Sequence, residues 1–119
     1  MENLGSLSEI RNTLENNQRS MIMFSAKWCG SCRKMKPKIE SLQEIYKNVN
    51  FYYIDITTFE DEDELISEYS VGKLPSFVLF KNTEEVGRVN GSKDKKAILD
   101  NLESLNIVEE ESSEVELHH

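Results

Sequence analysis

The stretch Met21-Ile22-Met23-Phe24-Ser25-Ala26-Lys27-Trp28-Cys29-Gly30-Ser31-Cys32 decides how the rest of the chain is read. It begins as four apolar residues with no alternation between faces, the pattern of a strand covered on both sides in an α/β sheet. It ends on two cysteines, after which Met35, Ile39, Leu42 and Tyr46 recur at i, i+4, i+7 and i+11. That spacing predicts a helix from about Gly30 to Lys47. A buried strand therefore feeds straight into a helix, with the cysteines at the junction. Backbone N–H groups at a helix start lack partners and the helix dipole is positive there, so a thiolate at Cys29 is stabilised. Cys32 lies one turn on, and an i, i+3 pair on a helix brings the Cα atoms to roughly 5–6 Å, inside the range a disulfide accepts.

Working outward, two further runs lack alternation, Phe51-Tyr52-Tyr53-Ile54 and Phe77-Val78-Leu79-Phe80. Amphipathic segments lie between them. Leu7, Ile10 and Leu14 share a helical face with Ser6 or Ser8 as the cap, Leu65, Ile66 and Tyr69 mark a short helix, and Ile98, Leu102 and Leu105 a last one. Phe77 to Lys81, Asn82-Thr83-Glu84 and Glu85 to Asn90 read as a hairpin with a three- or four-residue turn. Helical connections imply parallel pairing of the first two strands, and the hairpin adds an antiparallel pair. The fold class is α/β, a mixed sheet of four to five strands flanked by helices on both faces. Met1 to Gly5 offers an edge strand too short to assign.

The chain has 119 residues with 14 Lys+Arg against 22 Asp+Glu, a net charge of −8. One domain over residues 1–106 accounts for this length, and such a chain buries roughly 65% of its unfolded surface without staples or a structural metal. Residues 107–119, with Glu109-Glu110-Glu111-Ser112-Ser113-Glu114, are expected to form an acidic, disordered tail, and His118 and His119 read as a tag remnant. The acidic balance argues against nucleic acid and membrane surfaces, both polyanions. No apolar run approaches the ~18 residues of a membrane span, and Met1 to Ser8 lacks the order of a signal peptide. The expected compartment is the cytoplasm and the expected state a monomer.

Cys29 and Cys32 are the only cysteines. At this spacing in a cytosolic domain they point to redox chemistry or metal binding rather than to a disulfide scaffold. Tetrahedral zinc needs four ligands, and the only histidines are the last two residues, so no metal is expected unless a dimer shares two cysteine pairs. There is no Gly-rich phosphate loop, which argues against a bound nicotinamide or flavin. Between Lys27 and Lys38 stand five basic residues and no acidic one, an island in an acidic protein. Lys27 and Arg33 are near enough to tune the cysteines electrostatically, whereas Lys36 and Lys38 read as a solvated face. The acids Glu60 to Glu64 suit the dipole of a helix start. Asn90-Gly91-Ser92 reads as a turn, and Tyr52, Tyr53 and Tyr69 as core.

Taken together, Phe24, Ala26, Trp28-Cys29-Gly30-x-Cys32, Pro37, Ile54-Asp55, Leu74-Pro75-Ser76 and Gly91 resemble the thioredoxins over about Ser6 to Leu105. The resemblance implies a thiol–disulfide oxidoreductase that reduces protein disulfides through a Cys-Gly-Ser-Cys site. It needs no cofactor beyond that pair and is recharged by a thioredoxin reductase-like donor. Cys29 is implied as the attacking nucleophile and Cys32 as the resolving thiol. Pro75 matches the family's cis-proline, with Leu74 offering backbone groups to an extended substrate. Trp28, Gly30, Ser31 and Gly91 complete the substrate rim. Trp28 also reads as core, Pro75 as a plain turn and Gly91 as a loop glycine. The alternative function is a binding module whose Trp28–Pro75 surface docks a partner without redox turnover.

Three positions depart from the family pattern. Ser31 replaces the proline between the cysteines, adding a donor near the thiolate and implying a site more oxidising than the thioredoxin value of about −270 mV. Met23 stands where the family places a buried aspartate. Phe51, on the strand ending at Asp55, stands where a lysine pairs with that acid. Exchanging both members of a buried ion pair can be neutral for stability, but it removes a base that would take the proton from Cys32.

Overall fold

The computed structural model describes residues 1–108; the acidic stretch from Glu109 onward, with His118 and His119, lies outside them. Five strands make one sheet: β1 (Glu2–Asn3), β2 (Arg19–Ser25), β3 (Asn50–Asp55), β4 (Ser76–Lys81) and β5 (Glu84–Asn90), in the order β1-β3-β2-β4-β5. β1, β3 and β2 run parallel, while β4 and β5 are antiparallel to their neighbours. Four helices accompany them, α1 (Leu7–Glu15), α2 (Gly30–Ser41), α3 (Glu62–Tyr69) and α4 (Lys95–Asn106).

The strand that opens the deciding stretch is the central one. Ser20 through Ser25 of β2 are all buried, as an unalternating run between two layers of helix requires. Phe24, Phe77, Ile22, Met21, Ile54 and Leu79 are fully buried around it, and Ile10, Leu14, Ile39, Leu65 and Leu102 bring the helices onto the same core. Ser6 is the cap of α1, accepting from the Glu9 N–H at 3.2 Å, while the Glu9 carboxylate accepts from the Gly5 N–H at 2.7 Å.

Two local expectations are corrected and one open reading is decided. The helix expected to reach Lys47 ends at Ser41 and tightens into a 3-10 turn over Leu42–Glu44. Ser41 Oγ donates to the Lys38 carbonyl at 2.7 Å, competing with the helical ladder, while Leu42 and Tyr46 keep their apolar period by packing on the core from the turn. The hairpin turn is two residues, Asn82-Thr83, because Asn82 adopts a positive φ of 51° that asparagine tolerates. A bulge between Leu79 and Phe80 absorbs the offset. Lastly, the unassigned N-terminus does form an edge strand. Glu2 and Asn3 pair with Tyr52 and Tyr53, and the Leu4 N–H donates to the Tyr53 carbonyl at 2.9 Å.

The acids Glu62, Asp63 and Glu64 fill the first turn of α3, where the dipole favours them. At the other end of α3, Arg88 donates to the carbonyls of Tyr69 at 2.7 Å and Ser70 at 3.2 Å and pairs with Glu85. This guanidinium satisfies orphan carbonyls of a helix C-terminus.

Candidate active site

Cys29 is the N-cap of α2. Its backbone is extended (φ −92°, ψ 104°), its N–H donates to the Ala26 carbonyl at 3.1 Å, and its Sγ accepts from the Cys32 N–H at 3.3 Å. The sulfur thus takes the place of the side-chain oxygen that usually caps a helix. Cys29 and Cys32 are joined as a disulfide with a Cα–Cα distance of 5.3 Å, so the structure shows the oxidised site. The two sulfurs are not equivalent. Cys29 retains 7% exposure and Cys32 none, so an incoming group can reach only the first. Ser31 Oγ lies 3.5 Å from Cys29 Sγ, a second donor beside the Cys32 N–H.

Trp28 is not core: it is 70% exposed at the lip of the site. Arg33 folds back over Gly30 and donates through Nη1 to the Lys27 carbonyl, which ties the first turn of α2 to the loop before it. Lys36 departs from its reading as a solvated residue. Its Nζ sits 4.4 Å from the centre of the Tyr53 ring, a cation over an aromatic face.

The second wall comes from the chain entering β4. Phe24 pairs with Ser76, which places the segment just before Ser76 at the same end of the sheet as the cysteines. The Leu74–Pro75 peptide is cis. The Pro75 carbonyl accepts from the Gly91 N–H at 2.7 Å, and Ser76 Oγ lies against the Lys73 carbonyl and, at 3.0 Å, Asn90 Oδ1. Gly91 has φ +94°, and a Cβ there would come within 3.3 Å of Cδ and Cε of Lys73. A side chain at 91 would be strained and crowded, so the glycine serves the loop and the platform together. Among the described residues the Leu74 N–H and carbonyl take no hydrogen bond from the chain.

The floor is apolar where the departures predicted it. Met23 is fully buried and Phe51 4% exposed, and since Met21 pairs with Phe51 and Met23 with Tyr53 they share one face of the sheet. One polar contact on that face is one that sequence reasoning missed. The Tyr53 hydroxyl donates to Ser25 Oγ at 2.9 Å, with Lys36 stacked over the ring. Two-residue periodicity puts Met23, Ser25 and Tyr53 together, and Lys36 is four residues after Cys32, so the signal was present but looked like core and surface. Asp55 is occupied locally, accepting from the N–H and hydroxyl of Thr57. Among the described residues no group of three or more His, Cys, Asp or Glu is arranged to hold a metal ion.

The family model for thioredoxin matches residues 6–104. The chain belongs to the thioredoxin family. It is 36% identical over 95 residues to a thioredoxin of Ophiophagus hannah, covering 78% of this chain and 88% of that one. It is 33% identical over 89 residues to the mitochondrial thioredoxin-3 of Saccharomyces cerevisiae, covering 75% and 68%. Thioredoxin-2 of Pyricularia oryzae is longer, and the chain spans 54% of it at 29% identity. The solved oxidised form of the yeast mitochondrial thioredoxin 3 superposes with a TM-score of 0.79 at 30% identity, over 88% of this chain and 95% of that one. The mixed five-stranded sheet with four helices is the thioredoxin fold. With a Cys-x-x-Cys pair at disulfide distance on that fold, the chain is a thiol–disulfide oxidoreductase of thioredoxin type.

Proposed function

We propose that this thioredoxin-family protein works as a reductant of protein disulfides, with Cys29 as nucleophile and Cys32 as resolving thiol. The difference in exposure between the two sulfurs carries this assignment. The Cys29 thiolate attacks one sulfur of a target disulfide; a bond forms to Cys29 and the other target sulfur leaves as a thiolate. Cys32, as its thiolate, then attacks Cys29 Sγ, closing the internal disulfide and releasing the second target thiolate. Two electrons pass to the target, and the two protons given up by the cysteines end on its sulfurs. A dithiol-bearing partner resembling thioredoxin reductase reverses the last bond and restores the pair, so the chain carries electrons without another cofactor.

Around the sulfurs, Leu74 supplies backbone groups for an extended target segment, Pro75 and Gly91 hold that edge in place, and Trp28 and Gly30 form the adjoining rim. Ser31, Lys27 and Arg33 supply a donor and positive charge that favour the thiolate. The cytoplasm is the proposed compartment and a monomer the proposed state. No helix among the described residues is long and apolar enough to cross a membrane. Insulin reduction with dithiothreitol tests the activity: the wild type should accelerate it and Cys29→Ser should not. A wild type that binds targets yet fails to reduce them would favour a docking module instead.

A further inference from the structure

We infer that the mouth of this site selects target disulfides flanked by acidic residues, an inference that rests on the reductase reading above and names its substrate class. Net charge alone argues the other way, since a chain at −8 repels an acidic partner at long range. At contact, however, charges beyond about 8 Å are screened in physiological salt, so the local groups decide.

Those local groups are cations without carboxylates. Lys27 and Arg33 stand on the α2 side of the cysteines and Lys73 on the platform side, all exposed. Among the described residues none of the three has a carboxylate within ion-pair distance, whereas Arg11, Arg88 and Lys96 are held by Glu68, Glu85 and Asp100 at 3.7, 2.8 and 2.9 Å. Two of the three are also positioned. Arg33 is fastened to the Lys27 carbonyl, and the methylenes of Lys73 lie along Gly91, which keeps the ammonium beside Leu74 and Pro75. Two acids at this end of the sheet keep their charge but are turned onto local N–H groups. Asp94 caps α4 through the Ala97 N–H at 3.0 Å, and Asp55 is bound by Thr57. Glu60 itself is held beside Gly5, just past the end of β1, by the bond from its N–H to the Gly5 carbonyl at 3.0 Å. A target strand laid along Leu74 therefore meets cations on both sides of its cysteine, while the platform-side carboxylate of Asp94 faces the N-terminal N–H groups of α4.

The test uses the full chain, reduced and desalted, with three synthetic peptide disulfides whose cysteines are flanked by neutral, Asp/Glu or Lys/Arg residues. Peptide thiol release is followed by chromatography. At about 0.15 M ionic strength the acidic peptide should have a kcat/KM about three- to tenfold above the basic one, closing to within about twofold at 1 M salt, where the Debye length falls to about 3 Å. Lys73→Glu and Arg33→Glu should each reduce or reverse the preference. Lys47→Glu, the same charge change placed just before the start of β3 and so at the opposite end of the sheet, should leave it intact. Equal rates for acidic and basic peptides at about 0.15 M salt, with the neutral peptide still reduced, would overturn the inference alone. So would a Lys47→Glu effect as large as that of Lys73→Glu, which would make the preference one of overall charge. Failure to reduce even the neutral peptide would instead remove the reductase reading, and the inference with it.

Discussion

The mouth and the floor of the site are built to opposite rules. At the mouth, Cys29 meets a backbone N–H and a serine hydroxyl; on the sheet face that Lys36 of α2 overlies, buried Met23 and Phe51 present only carbon and sulfur. The mouth favours a charged sulfur and the floor does not. On the proposed assignment the two steps of exchange place unequal demands on the chain: attack by the outer thiol is assisted, while no buried carboxylate among the described residues stands ready to accept the proton of the inner thiol. A protein can keep the first half of a mechanism intact while relaxing the second.

The comparison breaks most visibly at the sulfurs themselves. Cys29→Ser is expected to lower insulin-reduction turnover on the order of a thousandfold or more, since the nucleophile is gone. Cys32→Ser should leave the first attack in place and accumulate a target-linked species detectable by mass spectrometry. The floor is probed next. Met23→Asp should raise turnover near pH 7 by about three- to tenfold, a fraction of what a well-placed general base supplies, and should cost about 3–5 kcal/mol in urea unfolding as an unpaired buried charge. Adding Phe51→Lys should recover part of that stability. Turnover unchanged by Met23→Asp would show that the floor does not limit release.

Smaller effects sharpen the contrast. Ser31→Pro removes the hydroxyl 3.5 Å from Cys29 Sγ. Losing a donor to the reduced, charged form should make the site more reducing by about 10–30 mV against glutathione. A shift in the other direction would mean that the hydroxyl does not favour the thiolate. The weakest effect lies away from both regions. The hydrogen bond from Arg88 holds the Glu85 carboxyl below its ordinary value. A lowered folded pKa contributes stability above the unfolded value of 4.5, and that contribution is lost as pH falls through the folded value. With Glu85 largely solvent-facing, screening keeps the pair below about 1 kcal/mol. Glu85→Gln should flatten the acid limb of a stability-versus-pH curve without altering redox turnover.

Much of this is legible in the amino-acid sequence. The unalternating Met21–Phe24 run, the cysteine spacing and the helical period beyond it specify a strand-to-helix junction, and burial of β2 follows from the same residues. Leu74-Pro75-Ser76 was meaningful only through the family resemblance, because a lone proline carries no signal of what it packs against. The end of α2 was hidden by a period that continues through the 3-10 turn. β1 was hidden by its brevity, since two residues form a strand only because β3 offers an edge. The direction of Trp28 was undecidable from residue type, as an indole suits a core and a lip equally well. Lys36 over Tyr53, and Tyr53 on Ser25, depend on tertiary placement of two elements whose local patterns say only surface and core.

The position of Trp28 has a practical consequence. It is the only tryptophan in the chain, and it adjoins Cys29 with 70% of its surface in water. Its emission under near-ultraviolet light comes from one place alone, and a neighbouring disulfide and a dithiol quench it to different extents. Opening of the bond and the arrival of a target can therefore be timed in the unlabelled molecule, with the protein as its own optical probe.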